Sequence, residues 1–268
     1  MKTFFQRYRY SIILLRELVI TDFKLRYQGS ALGYVWSLLR PLALFTILYF
    51  VFVKFLRFGG DLPHFAVYLL LGIVVWNYFS EVTNGGVSSV VGRGDVLRKI
   101  NFPKYVIVLA GSFSALINLA INLLVVFAFM LFTGADPHAT AILFVPMLII
   151  ELFVISIAMA FLLSALFVQF RDVNYIWEVI MQGAFYATPI IYPLDLIPVG
   201  VAKILILNPV AQIIQDLRYL LITDQTVTID KLYGNEWVRF VPIIATLLMA
   251  LGAAYYFKKR SPYFAEDI

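Results

Sequence analysis

Three carboxylates interrupt apolar stretches of this chain: Glu81, Glu151 and Glu178. A carboxylate in hydrocarbon is costly, and with a partner at its own depth it marks an ion or proton pathway. Glu81 and Glu178 fall near the ends of their runs. Only Glu151 lies deep, and the sequence shows no basic residue at its depth. A lone acid fits a satisfied or interface-facing Glu better than a proton relay. Other chemistries lack their residues. Cysteine is absent, which removes disulfides, thiol catalysis and thiolate metal sites. His64 and His138 are too far apart to suggest a metal cluster. No Gly-x-x-x-x-Gly-Lys-Ser/Thr string is present, so the chain has no such loop for ATP phosphates. No Ser/His/Asp set stands out. Transport or conduction therefore ranks above catalysis, and no cofactor is expected in this chain. One further set is chemically suggestive. Tyr34, Trp36, Phe185, Tyr186 and Tyr192 sit where apolar runs begin or end. Each ring alone is best read as core packing or an interfacial belt. Together they can stack on sugar C–H faces and bond sugar hydroxyls through their polar edges.

The elements that must position these residues are membrane helices. The chain is 62% hydrophobic and 14% charged, with a mean hydropathy of +0.89. Soluble domains have roughly 45–50% apolar and about 25% charged residues. A crossing helix needs ~20 apolar residues. Six runs qualify: Leu32–Val53, Phe65–Ser80 with its flanks, Tyr105–Phe132, Ala141–Phe170, Tyr175–Tyr192 and Phe240–Phe257. They are continuously apolar, without the period of two that barrel strands require. The expected fold is all-α and polytopic, one transmembrane domain over residues 1–268. The start of the chain shows no apolar core followed by a small-residue cleavage site. With the N-terminus taken as cytoplasmic, fourteen of the 21 Lys and Arg fall in inside segments and five in outside ones. That bias puts both termini in the cytoplasm. It also accounts for the net charge of +5 without nucleic acid. The tripeptide Arg93-Gly94-Asp95 then lies inside, where an adhesive role is excluded.

Three parts are not plain spans. Residues 1–30 contain Ile12, Ile13, Leu15, Val19, Ile20 and Phe23 at near-helical spacing, interrupted by Arg16, Glu17, Asp22 and Lys24. This predicts an amphipathic interface helix, either a plain anchor or a brace for a cytoplasmic partner. Residues 90–104 carry Gly92 and Gly94 as a break, and Asp95 as a cap for a short helix through Val96, Leu97, Arg98, Lys99 and Ile100. Two readings stand level: a docking knob with apolar residues at its centre, and a basic loop near anionic lipid. Residues 193–237 are too apolar for a solvated loop. Their two short runs predict a pair of re-entrant outer helices. Asn208 and Pro209 provide the cap and first turn of the second. The pair is either passive packing at the rim or an outer gate.

The strings LRYQGSALGYVWSLLRP (25–41), INFPK (100–104), FRDV (170–173), ATPIIYP (187–193) and NPVAQIIQDLRYLL (208–221) occur in this order and spacing. The chain thereby resembles the membrane subunit of ABC-type exporters of lipid-linked polysaccharide, such as O-antigen, teichoic acid or capsular polysaccharide. The resemblance implies a homodimeric channel served by two copies of a separate ATPase subunit that binds ATP and Mg. It implies that Asp95–Ile100 is the coupling helix and that the helix with Arg16, Glu17 and Asp22 braces the ATPase. It implies an outer gate that includes Pro189, Pro193, Asn208, Pro209 and Arg218. The implied substrate is a polyprenyl-diphosphate-linked glycan, with a path along Arg26, Tyr34, Trp36, Arg40, Phe185, Tyr186 and Tyr192; Arg26 and Arg40 would attract the diphosphate. The implied location is a bacterial cytoplasmic membrane. The rival reading is a secondary transporter or channel for a small solute, which calls for a deep ion site and often repeated halves.

Overall fold

A computed structural model describes residues 2–27, 33–55, 62–94 and 102–264. The segment Asp95–Ile100, expected to dock a partner, lies outside the described residues, as do the side chains of Arg26 and Tyr34.

The described residues form helices and turns, with no strand among them. Helix α1 runs Lys2–Tyr27, and α2 runs Trp36–Leu48 and continues as a π-helical stretch through Tyr49–Phe55. Helices α3 (Phe65–Ser89), α4 (Tyr105–Thr133), α5 (Ala141–Gln169) and α6 (Val173–Ala187) follow. Then come the short α7 (Val199–Ile206), α8 (Pro209–Leu221) and α9 (Ile229–Tyr233), and the long α10 (Phe240–Arg260). Among the described residues five helical stretches are long and apolar enough to cross a bilayer: Trp36–Phe55, Phe65–Ser89, Tyr105–Thr133, Ala141–Gln169 and Glu236–Tyr263. The expected runs at both ends of this set, and α3 to α5, are therefore recovered. The Phe65–Ser80 run extends a further nine residues.

Helix α3 is the centre, packed by α4, α5, α6 and α8. Val67, Leu69, Leu71 and Val75 are wholly enclosed. At Gly86 the backbones of α3 and α5 approach so closely that a Cβ would stand 2.6 Å from the Cβ of Ala160. Without a hydrophobic drive between helices in lipid, such small-residue contacts allow the dispersion that holds them. Helix α2 is the opposite case. Trp36, Leu39, Ile47, Phe50, Val51 and Phe55 are exposed on it.

The two ends of the bundle differ. At the first, the N–H of His138 in the α4–α5 turn donates to Leu220 O of α8 at 2.9 Å, and the start of α3 meets Arg218. At the second, Lys104 Nζ donates to Ser261 O beyond α10, and Arg93 pairs with Asp22 of α1. This second end carries Arg93, Lys104, Lys258, Lys259 and Arg260.

Helix α6 departs from the expected run Tyr175–Tyr192. It has 15 residues, about 22 Å at 1.5 Å per residue, against a hydrocarbon layer of ~30 Å. The cause is Pro189, because the residue before a proline is driven out of the α region. Thr188 accordingly adopts φ −83°, ψ 135°. The expected run is therefore not among the helices long enough to cross on their own, and the non-helical backbone that follows, Thr188–Ile191, is buried throughout. Beyond it α7 and α8 meet at 102°, the geometry of a broken span or of a re-entrant loop. Asn208 Oδ1 accepts from Val210 N at 3.0 Å, with Pro209 in the first turn of α8.

Candidate substrate cleft and its latch

Two stripes face each other across the α3–α6 seam. Trp76, Ser80 and Asn84 are four residues apart on α3; Asn174, Glu178 and Gln182 are four apart on α6. Residues at i and i+4 share a helix face, so each set forms a line. Together with Met181, Phe185 and Tyr186 they enclose a cleft of about 620 Å³. Trp177 and Met181, both buried, fasten α6 to the bundle. Trp76 meets Phe185 edge to face with centroids 5.9 Å apart, and Phe185 meets Tyr186 at 5.3 Å. Asn84 Nδ2 donates to Ser80 Oγ at 2.9 Å. The cleft therefore offers aromatic faces, amides and a carboxylate along one track. That chemistry suits polyhydroxylated ligands: rings against C–H faces, amides and the acid to hydroxyls.

The aromatic set named from sequence is divided by the structure. Phe185 and Tyr186 line the cleft. The Tyr192 hydroxyl turns back and donates to Tyr186 O at 3.0 Å, closing the turn after α6. Trp36 and Arg40 stand four residues apart on the exposed face of α2 and do not line the cleft. Trp76, Asn84, Asn174 and Gln182 were missed. Their signal was present as i, i+4, i+8 polar stripes inside apolar helices.

The non-helical segment after α6 raises a backbone question, since buried carbonyls must be satisfied by protein. Arg218 answers it. Its Nη1 donates to Pro189 O at 2.6 Å and to Gln215 Oε1 at 3.2 Å, its Nη2 to Ile190 O at 2.6 Å, and its Nε to Tyr68 O at 3.0 Å. The guanidinium carbon stands 3.6 Å from the centre of the Tyr68 ring, a cation–π contact. The Tyr68 hydroxyl donates to Gln215 Oε1 at 3.1 Å. Space for the guanidinium is made by Gly72, where any Cβ would collide with Nη2. Arg218 is thus wholly buried and ties α8, α3 and the turn after α6 into one knot. Pro189 and Pro193 lie buried in the same turn.

The acids also resolve. Glu81 Oε1 accepts from Asn118 Nδ2 of α4 at 3.0 Å, and Glu178 lines the cleft. Glu151, expected to lack a basic partner at its depth, lines one cavity with Arg239 as well as Asp216. The guanidinium comes from 88 positions further along the chain, so no local reading could place it. On α1, Arg16 and Glu17 are exposed, while Asp22 pairs with Arg93. Among the described residues no group of three His, Cys, Asp or Glu could hold a metal ion.

Comparison with known proteins adds to this geometry. The chain is 26% identical to the O-antigen export system permease protein RfbA of Klebsiella pneumoniae, over 96% of this chain and 97% of that protein. It is 29% identical to the protein of the same name from Myxococcus xanthus, over 95% of each. A second Klebsiella pneumoniae RfbA is 27% identical, over 96% of this chain and 97% of that one. The family model described as ABC-2 type transporter matches residues 13–222, a stretch that holds α2 to α8, the cleft and its latch. This multi-pass membrane protein belongs to the ABC-2 type transporter family.

Proposed function

We propose that the chain is the transmembrane subunit of an ATP-driven exporter that moves a polyprenyl-diphosphate-linked polysaccharide, of O-antigen or teichoic acid type, across the bacterial cytoplasmic membrane. The observation that carries this reading is the likeness, over at least 95% of the chain, to permeases named for O-antigen export. The cleft lends it chemistry, with rings and amides arrayed along α3 and α6. A secondary transporter for a small solute is not favoured beside this family membership.

In this reading two copies face each other across α2 and α6, whose apolar and polar faces are open. Two ATPase subunits, which bind ATP and Mg, dock at the end bearing Arg93, Lys104 and Lys258. That end is cytoplasmic, together with both chain termini, in keeping with the excess of Lys and Arg there. Residues 95–100 seat in the ATPase, and the Arg93–Asp22 pair braces α1 beside them. ATP-driven closure of the ATPases then reaches α3 directly, because Arg93 follows it without a linker.

The test is co-expression with the ATPase gene from the same locus. The two chains should co-purify, and depletion of this one should accumulate lipid-linked glycan inside the cell. ATP hydrolysis by this chain purified alone, or undisturbed glycan export after its depletion, overturns the proposal.

A further inference from the structure

A second cavity, of about 520 Å³, lies between α5, α8 and the start of α10, on the face away from the cleft. Its walls are apolar: Phe144, Met147 and Ile150 of α5, and Phe240 and Leu247 of α10, are exposed side chains of bilayer-crossing helices. Its floor is polar, with Glu151, Gln212, Asp216, Arg239 and Thr246.

The floor is built but unsatisfied. Gln212, Asp216 and Thr246 are only 1%, 5% and 2% exposed. Yet Gln212 Oε1, Asp216 Oδ1, Thr246 Oγ1 and Glu151 Oε1 have no hydrogen-bond partner, and neither has Arg239 Nε. The internal bonds use other atoms. Gln212 Nε2 donates to Asp216 Oδ2 at 2.6 Å, Arg239 Nη2 pairs with Asp230 Oδ2, and it stands 3.7 Å from Asp216 Oδ1. Four lining side chains thus present unbonded acceptor oxygens, three of them on Glu151, Gln212 and Asp216, in a cavity that also holds one unspent guanidinium N–H. Buried acceptors left unbonded are costly, so a ligand that bonds them is strongly favoured. An ammonium has three donors and no acceptor, which matches three orphan oxygens. Charge agrees: among the described lining residues Glu151 and Asp216 are acids and Arg239 is the one cation, itself paired with Asp230. Arginine in turn suits a phosphate beside the ammonium.

We propose that this cavity binds a membrane phospholipid whose head carries a primary ammonium next to its phosphate. The ammonium sits among Glu151, Gln212 and Asp216, the phosphate meets Arg239, and an acyl chain lies along Phe144, Met147 and Leu247. Because α8 supplies both Gln212 and Asp216 on this side and Arg218 on the other, the lipid braces the re-entrant helix from its membrane face.

The experiment is native mass spectrometry of the full chain released from detergent, with matched acyl chains on three heads: ethanolamine, choline and glycerol. Retention of the ethanolamine lipid about tenfold over the choline lipid is expected, the equivalent of roughly 1.4 kcal/mol. The preference should vanish in Glu151→Gln/Asp216→Asn, which keeps shape and removes charge. Equal retention of all three lipids by the parent chain overturns the proposal, and needs no variant to fold. Preference for the glycerol lipid also overturns it, by assigning an anion site to Arg239. Soluble phosphoethanolamine is the last arm: displacement of the lipid by it would make the ligand a free metabolite and refute the membrane source.

Discussion

Replacing Arg218 with Met should destabilise the bundle without disturbing its surface. Methionine fills much of the arginine volume but donates nothing. The carbonyls of Pro189 and Ile190 lose the partners they have at 2.6 Å, and their segment has no helix to supply others. Two orphaned buried carbonyls cost about 1–3 kcal/mol each. Loss of the cation over the Tyr68 ring, 3.6 Å away, removes roughly 1–2 kcal/mol more. Against this, a buried guanidinium no longer has to be desolvated, which returns several kcal/mol in the unfavourable part of its balance. The net expectation is roughly 2–4 kcal/mol lost, or about 5–15 °C at the 2–4 °C per kcal/mol usual for chains near this size. The assay is heating of the detergent-solubilised chain followed by size-exclusion of what stays monodisperse. Arg218→Lys keeps the charge but not the fork that reaches two carbonyls at once, so it should fall between parent and Arg218→Met. If Arg218→Met melts within about 1 °C of the parent, the turn after α6 does not depend on Arg218 and the latch is refuted.

Three other outcomes are expected. Gly86→Val forces a side chain against Ala160, where even a Cβ has only 2.6 Å; it should cost about 1–3 kcal/mol by overpacking, while Gly85→Ala, with nothing within 4 Å, should leave the melting point in place. Asn208→Ala removes the side-chain acceptor of Val210 N and should cost about 1 kcal/mol, read as a lower midpoint in the same heating assay. Asn174→Ala and Gln182→Ala change exposed cleft residues, so stability should stay within about 0.5 kcal/mol while glycan export by the complex falls; export at the parent rate would remove those residues from the path.

Much of this was legible because membrane helices announce themselves by length and apolarity. Ala141–Phe170 was read from sequence and α5 runs Ala141–Gln169. The Asn208-Pro209 start of α8 was equally plain, since a cap and a first-turn proline act within four residues. What stayed hidden depends on which residues meet across the fold. Arg218 was expected in an outer gate, and its bond to Tyr68, 150 positions earlier, has no local signal. Glu151 looked solitary because Arg239 arrives from the last span. The cleft stripes were hidden for another reason: hydropathy sums average over the faces of a helix, and Trp76, Ser80 and Asn84 share their turns with Ile73, Val75 and Val82, all buried.

The latch also constrains how the cleft can change shape. Swinging α8 away from the turn after α6 would strip Arg218 of its carbonyls and leave both the guanidinium and Pro189 O and Ile190 O without partners in a dry setting. Breaking a buried charged network in this way costs about 3–5 kcal/mol. Rotating α3, α6 and α8 as one body breaks none of these bonds. The lines of weakness then lie where packing is thin: around α2, whose apolar face is bare, and at the π-helical stretch Tyr49–Phe55, a backbone form found at functional irregularities. Helix α3 reaches from the Arg218 knot to Arg93 at the opposite end. In the proposed assembly, a push delivered near Arg93 would enter α3 four residues away, at Ser89, and pass along that helix to the latch and the cleft on its flank.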